Sequence, residues 1–387
     1  MSPEEATAQR RALTRRVKAA ALRLGFDPVG ITSAEPFTET EEVVAERIRL
    51  GLMDGLPWYH EARARRGCHP EQILPDAKSI IALALDYQVE PLPEPVDGRP
   101  RGRISRYAWR RDYHRVFEQR VKELIRELQS LGGGHAKFYV DYGPMPDRAV
   151  AARAGIGWHG KNTNLLTATR GSWVFLAELL TDLGLEPDRP LKKSCGRCTA
   201  CIPACPTGAI VAPYVLDNTR CISFHTIENR GPIPRELRPL FGDWVFGCDV
   251  CQDVCPVNER VSPQGDPDFA PRMSEDARPD LVGLLELTEE EFQARFRGSP
   301  VRRAKRAGLQ RNACVALGNS GDPSAVPALT RALREAEPLV RGHAAWALGR
   351  LGGADAEQAL REAEVGEKEA DVVQEIRAAL AGLLPQG

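Results

Sequence analysis

The apolar positions in the first half of the chain change period several times, and each change marks an element. Between Glu4 and Leu24 they recur at helical spacing, and Asp27-Pro-Val-Gly-Ile-Thr32 then reads as a short strand. Ser79-Ile-Ile-Ala-Leu-Ala-Leu85 is a continuous apolar run, the mark of a strand buried on both faces. Arg115–Leu131 returns to helical spacing, Ala136-Lys-Phe-Tyr-Val-Asp141 to a strand, and Pro146–Ala154 to a helix ending at Gly155-Ile-Gly157. The Pro-rich stretch Val89–Pro95 is a surface loop within this region. The alternation predicts an α/β or α+β domain over residues 1–190, large enough to hold a cofactor.

Residues 191–260 carry cysteines instead of a long apolar pattern, and a Pro/Asp-rich linker, Val261–Pro279, follows. The last region, 275–387, is helical and repeats itself. Ala313-Cys-Val-Ala-Leu-Gly318-Asn-Ser-Gly321 recurs as Ala344-Ala-Trp-Ala-Leu-Gly349-Arg-Leu-Gly352, and Ala325, Ala328 and Leu329 match Ala356, Ala359 and Leu360. Small residues and Leu at helical spacing, with Gly ending each first helix, describe stacked helical pairs of the HEAT kind. A degenerate third unit ends near Leu380. So short a solenoid is expected to lean on the main body for part of its core.

Eight of the ten cysteines lie between Cys195 and Cys255. Cys195-x-x-Cys198-x-x-Cys201-x-x-x-Cys205-Pro206 is the run of bacterial two-cluster ferredoxins. Cys248-x-x-Cys251-x-x-x-Cys255-Pro256 is the same run without its first cysteine, and Cys221 can supply the missing thiolate. Two [4Fe–4S] clusters need eight thiolates. In the ferredoxin arrangement the last cysteine of each run crosses over. One cluster then takes Cys195, Cys198, Cys201 and Cys255, and the other Cys205, Cys221, Cys248 and Cys251. Zinc knuckles do not favour this spacing, and the separated Cys68 and Cys314 imply no disulfide framework, so a reducing, cytoplasmic setting is expected.

The formal charge of −1 excludes a global attraction to nucleic acid or membrane, and no run is apolar enough to span a bilayer. The arginines near the N-terminus precede an amphipathic helix, not an export core. Two local patches stand out. Seven arginines between Arg99 and Arg115 interleave with Tyr107, Trp109 and Tyr113, and Arg295–Arg311 is basic with no acid between. Such patches suit RNA, or else are solvated or acid-paired faces. The second opens the repeats, which offer a concave binding surface.

The order of these features resembles the epoxyqueuosine reductases, cobalamin-dependent iron–sulfur enzymes that complete queuosine in tRNA. The resemblance rests on Ser105-Arg-Tyr-Ala-Trp-x-x-Asp-Tyr-His114, Val140-Asp-Tyr-Gly-Pro144, and Arg148-Ala-Val-Ala-Ala-Arg-Ala-Gly-Ile-Gly-Trp-His-Gly-Lys-Asn162. It continues through the cysteine runs, Cys221-Ile-Ser-Phe-His-Thr-Ile-Glu228, and Gly298-Ser-Pro-Val-Arg-Arg-Ala-Lys-Arg-Ala-Gly-Leu-Gln-Arg-Asn312. Departures fall at Gly67, Arg110, Tyr142, His159 and Val257. The resemblance implies a nitroreductase-like cobalamin domain, a ferredoxin-like double-cluster domain and HEAT-like repeats, an α+β architecture overall. It implies an oxidoreductase that reduces epoxyqueuosine at the wobble position, a monomer fed by an external low-potential electron donor.

By the same resemblance, Asp141 is the proton donor. An ordinary Asp titrates at about 3.9, so about one in a thousand is protonated at pH 7; an acid at that position needs burial against an apolar face. Arg66, Ser105, Asp141, Lys161, Asn162, Leu165 and Ser223 are expected near cobalamin. Thr226 and Glu228 are expected near the base. Arg302, Arg303, Lys305 and Arg306 are expected on the tRNA. No D-x-H-x-x-G motif offers cobalt a histidine, since Phe117 stands at the glycine position after Asp112-Tyr-His114. A reductive dehalogenase with a Tyr acid, or an electron-transfer protein without catalysis, are the competing readings. The helical repeats argue against the first, and the large N-terminal domain against the second.

Overall fold

The computed structural model describes residues 2–383; residue 1 and residues 384–387, the outer ends of the first and last expected regions, lie outside the described residues. In the N-terminal region four strands form one antiparallel sheet, in the order Val29–Ser33, Ser79–Asp86, Val174–Thr181, Ala136–Tyr139. Helices Pro3–Arg23 and Tyr113–Ser130 cover one face. Their Val17, Ala20, Phe117 and Leu124 meet Ile81, Leu83, Phe175 and Leu179 of the sheet. Helices Glu61–Cys68 and Asp147–Arg153 cover the other, where Cys68, Val150 and Ala151 meet Ile80, Ala82 and Leu180. The all-antiparallel sheet makes the class α+β.

Two expectations shift at the ends of this sheet. The strand beginning at Ala136 stops at Tyr139, and Asp141 lies beyond it in the left-handed region, at φ 63°. The central strand Val174–Thr181 was not expected at all. Its Glu178 breaks the apolar run, yet is 1% exposed.

The cysteine region is built of short pieces around a small apolar centre of Ile222, Ile233, Leu237, Phe241 and Trp244. It is joined to the first region through a parallel pairing of Trp244–Phe246 with Arg103–Ile104. The segment read as a linker is a strap instead. Gly265 and Asp266 donate backbone hydrogen bonds to Gln88 and Asp86, and Phe269 is buried in the N-terminal core.

The repeats stack helix Lys305–Ser320 on Pro338–Leu351, and that on Ala370–Leu383. Gly321 and Gly352, at φ 68° and 69°, end the first helices, as the repeat predicts. Gly318 and Gly349 have a different task. A Cβ at Gly318 would come within 2.9 Å of the Ala347 backbone, and one at Gly349 within 2.7 Å of Ala379, so glycine lets neighbouring helices touch. One continuous core runs from Val89 and Trp109 through Phe246 to Ala379, so the solenoid does lean on the body.

Candidate redox and RNA-facing site

All eight clustered cysteines are free thiols. Burial raises the Cys201 thiol, and the neighbouring Cys195, Cys255 and Cys198 raise it further. Burial likewise raises Cys251, with Cys221, Asp249 and Cys205 adding to it. No three His, Cys, Asp or Glu among the described residues converge on one metal ion. A cubane binds each thiolate through a different iron, so its four sulfurs need no single point of convergence. The residues present therefore fit two clusters.

The turn after Trp158 lies against both sets. The Lys161 N–H donates to Cys195 Sγ at 3.4 Å, and its Nζ donates to the Gly196 carbonyl at 2.8 Å. Asn162 Nδ2 donates to the Cys251 carbonyl, and Asn164 Nδ2 reaches Cys251 Sγ at 3.9 Å. Ser223 lies near the Cys221 thiol and lowers it against its burial. Lys161, Asn162 and Ser223 thus sit at the thiolates, where amide and hydroxyl donors offset sulfur charge.

A second convergence centres on Asp141. Its Oδ2 accepts a 2.5 Å hydrogen bond from Tyr113 Oη, and Tyr113 stacks on Phe175 with ring centroids 4.3 Å apart. Burial holds the Tyr113 and Tyr107 phenols well above their ordinary range, and the Asp141 charge adds to both. Tyr113 is therefore a fixed O–H donor. Arg63 donates to the carbonyls of Tyr142 and Gly143 at 3.1 and 2.7 Å, which holds the loop from the other side. Arg303 Nε donates to Glu228 Oε1 at 2.8 Å, and its guanidinium lies 5.4 Å over the Trp58 ring. That hydrogen bond raises Arg303, and the charges of Glu228 and Asp141 raise it further.

Several expected contacts take another form. Asp141 is exposed, so the chain itself supplies no apolar cover for it. Arg66 is exposed, and among the described residues its side chain makes no hydrogen bond or ion pair; Arg63, one turn earlier, grips the loop. Gly67 is required where it stands, because a Cβ there would lie 1.8 Å from the Pro144 carbonyl oxygen. The Ser105 hydroxyl is given to Asp249, at 2.5 Å. The Leu165 side chain belongs to the core with Ile156 and Leu180. Thr226 is fully buried, its hydroxyl bonded to the Ile222 carbonyl and the Gly247 N–H, and cannot touch a base. Its helix is pinned to the repeats by the buried Arg311, which donates to the carbonyls of His225, Asn229 and Gly231, and by Asn312, which donates to that of Thr226.

The basic patches separate in the same way. Arg99, Arg101, Arg103 and Arg111 pair with acids, and Arg110 donates to the carbonyls of Pro267 and Ala270. Arg306 is engaged by Glu335 and Gln310. Arg302 and Lys305 are exposed and, among the described residues, make no ion pair. Arg115, from the other patch, joins them: it is exposed and lies beside Gly298, whose carbonyl accepts from the Asp112 N–H at 2.7 Å. Among the described residues the basic groups without an acid partner here are therefore Arg115, Lys305 and Arg302, the last donating to the Gln293 amide oxygen at 2.6 Å, beside the Arg303–Glu228 pair.

Comparison with known proteins gives three family matches along the chain. Residues 67–142 match "Epoxyqueuosine reductase QueG, DUF1730", residues 194–258 a 4Fe-4S double cluster binding domain, and residues 301–381 HEAT repeats. An epoxyqueuosine reductase of Cellulophaga algicola is 44% identical over 76% of this chain and 95% of its own length. One from Bacillus subtilis is 37% identical, covering 94% of each. A crystal structure of epoxyqueuosine reductase with an epoxyqueuosine-modified tRNA-Tyr stem loop superposes with a TM-score of 0.91 at 36% identity, over 96% of this chain and 99% of that one. Another, from Bacillus subtilis, has its aspartate-bearing catalytic loop swung out of the active site (TM-score 0.90, 35% identity, 96% and 99% covered).

Proposed function

This chain belongs to the epoxyqueuosine reductase family, and from that premise we propose that it reduces epoxyqueuosine to queuosine at the wobble position of a tRNA anticodon. The observation that carries the reading is the convergence of the Asp141 loop, the Arg303–Glu228 pair and basic groups without an acid partner in a chain whose eight cysteines fit two clusters.

Removing an epoxide oxygen as water takes two electrons and two protons. Held by the eight cysteines, two [4Fe–4S] clusters would supply those electrons singly. Asp141 holds a proton for the opening oxygen, and the Tyr113 hydrogen bond to Oδ2 orients its carboxyl so that Oδ1 remains for the substrate. Asp141 stands on a loop, as does the catalytic aspartate of the Bacillus subtilis relative. The covering surface it lacks is then supplied on binding.

The residues also fit a cobalamin. The Gly160–Asn164 turn and Ser223 lie beside Cys251 and Cys221, and Tyr142 and Trp58 are exposed aromatic surfaces, 55% and 37% accessible. Backbone and side-chain groups of that turn, Ser223 and the Asp141 loop would hold it. When bound, cobalamin supplies a strongly reducing, nucleophilic metal centre for the carbon–oxygen bond. His114 is tied to Asp112 at 2.6 Å and stacked on Tyr113, which fits a cofactor held without a histidine ligand.

The direct test is mass analysis of tRNA from a strain lacking this gene. Epoxyqueuosine should accumulate and disappear on complementation; unchanged queuosine would refute the proposal. The docking face has its own test. Replacing Arg115, Arg302 and Lys305 by Gln should weaken tRNA binding and flatten its salt dependence by about 0.7–0.9 in log–log slope per lost phosphate contact. Arg306→Gln should leave the slope intact and lower the melting temperature, because its charge is already engaged inside the repeats.

A further inference from the structure

Behind the Asp141 loop lies a pair of buried carboxyls that the reaction above leaves without a role. Glu178 sits in the central strand, between Ala82 on one neighbouring strand and Tyr139 on the other. It points into the apolar layer that contains Ala82, Leu180 and Met145. Asp147 begins the helix packed over that layer, and its carboxyl lies close enough to that of Glu178 for the two to titrate together. Both Glu178 oxygens and Asp147 Oδ1 are buried, and no N–H or O–H group donates to them. Two carboxylates buried side by side with no donor to either cannot both stay ionised, and the single charge of Arg148 acting on Asp147 does not balance a double negative one. The pair therefore holds one proton.

Its surroundings are otherwise neutral or anionic. The phenols of Tyr139, Tyr142 and Tyr59 lie around it, and burial keeps the Cys68 thiol up at about 11. Arg148 is the cation that lowers Asp147, and it also acts on the imidazole of His159. Burial comes first in raising both carboxyls; Asp147 raises Glu178 further whereas Glu178 lowers Asp147, and the charge of Asp141 raises both. Tyr139, which faces Glu178 across the sheet, is two residues from Asp141.

We infer that the Asp147–Glu178 pair keeps a proton in reserve behind Asp141 and passes it on as Asp141 gives its own to the substrate oxygen. The inference rests on the epoxide reading. Asp141 carries one proton, and departure of the oxygen as water requires two. The first goes from the Asp141 carboxyl to the opening oxygen. The pair's O–H bond then breaks as one forms on the Asp141 carboxylate, which delivers the second. Solvent afterwards returns two protons, and the two electrons come from the clusters. The pair holds its proton tightly, but the hydroxide that would otherwise depart is a far stronger base than any carboxylate, so transfer of the second proton as the carbon–oxygen bond breaks runs downhill.

Glu178 and Asp147 act through Asp141 and are positioning residues, so the test reads protons as well as turnover. Infrared spectra of resting protein with ¹³C-labelled Asp and Glu should show a protonated carboxyl at pH 7 in an apolar setting. Glu178→Gln should remove it. In the same variant kcat should fall by about 10²-fold, the lower end for a lost proton-transfer group, with KM for the RNA and iron content unchanged. Wild-type kcat should fall as pH rises and the pair loses its proton, and Glu178→Gln should abolish that limb. Glu178→Asp should restore part of the rate. Absence of the band in wild-type protein, which needs no variant to fold, overturns the inference; so does loss of the band with kcat and its pH profile unchanged. If Glu178→Gln loses iron, Asp147→Asn is read against the same two criteria. Should the band be present while tRNA from the deletion strain accumulates no epoxyqueuosine, the functional reading fails and the shared proton stands.

Discussion

Cys255→Ala should lose the cluster of the other run and keep the one beside it. Cys255 lies at the end of Gly247–Pro256, yet burial and then the charges of Cys195 and Cys198, from the distant run, raise its thiol. Cys248 is raised by burial and then by Cys221 and Cys251, so the remaining set stays complete. Iron per chain should drop from about eight to about four, the content of one cubane. Electron paramagnetic resonance of the reduced protein should retain one [4Fe–4S] signal. Turnover should fall to background, because the Asp141 site is left with half of its electron path. Two intact signals in the variant would refute the crossed assignment. Cys68→Ala and Cys314→Ala should leave iron unchanged, since both thiols are buried in apolar cores.

What the sequence made legible follows the range of each interaction. Cysteine spacing is local, and it led directly to two sets of four thiols. The repeat was equally legible, because helical pairs stack on neighbours close in sequence. The central strand Val174–Thr181 escaped notice for a chemical reason. Glu178 reads as a surface residue until Asp147, more than thirty positions away, is found buried close to it. The strap that buries Phe269 looked like a linker, since Pro and Asp dominate its composition while its partners Asp86 and Gln88 lie far upstream. Charge was the least legible property. A run of arginines says nothing about which have acids waiting, and those from Arg99 to Arg111 are engaged inside the structure while Arg115 is not. Residues placed near the chemistry by resemblance divide similarly. Asp141 meets the Tyr113 hydroxyl and Lys161, Asn162 and Ser223 lie beside the cysteines, whereas Thr226 and Leu165 are buried as scaffolding.

The sharpest test of the chemistry is Asp141→Asn. Asn keeps the shape of the side chain and tolerates the left-handed backbone at φ 63° better than most residues, so the loop should hold its course. Tyr113 can still donate to the amide oxygen. Only the proton is lost. Removing a general acid costs about 10²–10⁴-fold, and a poor alkoxide leaving group puts this variant at the upper end. tRNA affinity and iron content should not change, because Arg115, Arg302 and Lys305 and the eight cysteines are untouched. Tyr113→Phe should cost less than Asp141→Asn, because it removes the bond that orients the acid and leaves the acid itself. Tyr142→Phe separates this mechanism from a tyrosine-acid one. Its ring is 55% exposed and burial raises its phenol, which makes it a weaker acid still, so the change should be mild. If Tyr142→Phe abolishes turnover and Asp141→Asn retains it, the proton comes from the phenol, and both the role of Asp141 and the proton reserve behind it fall together.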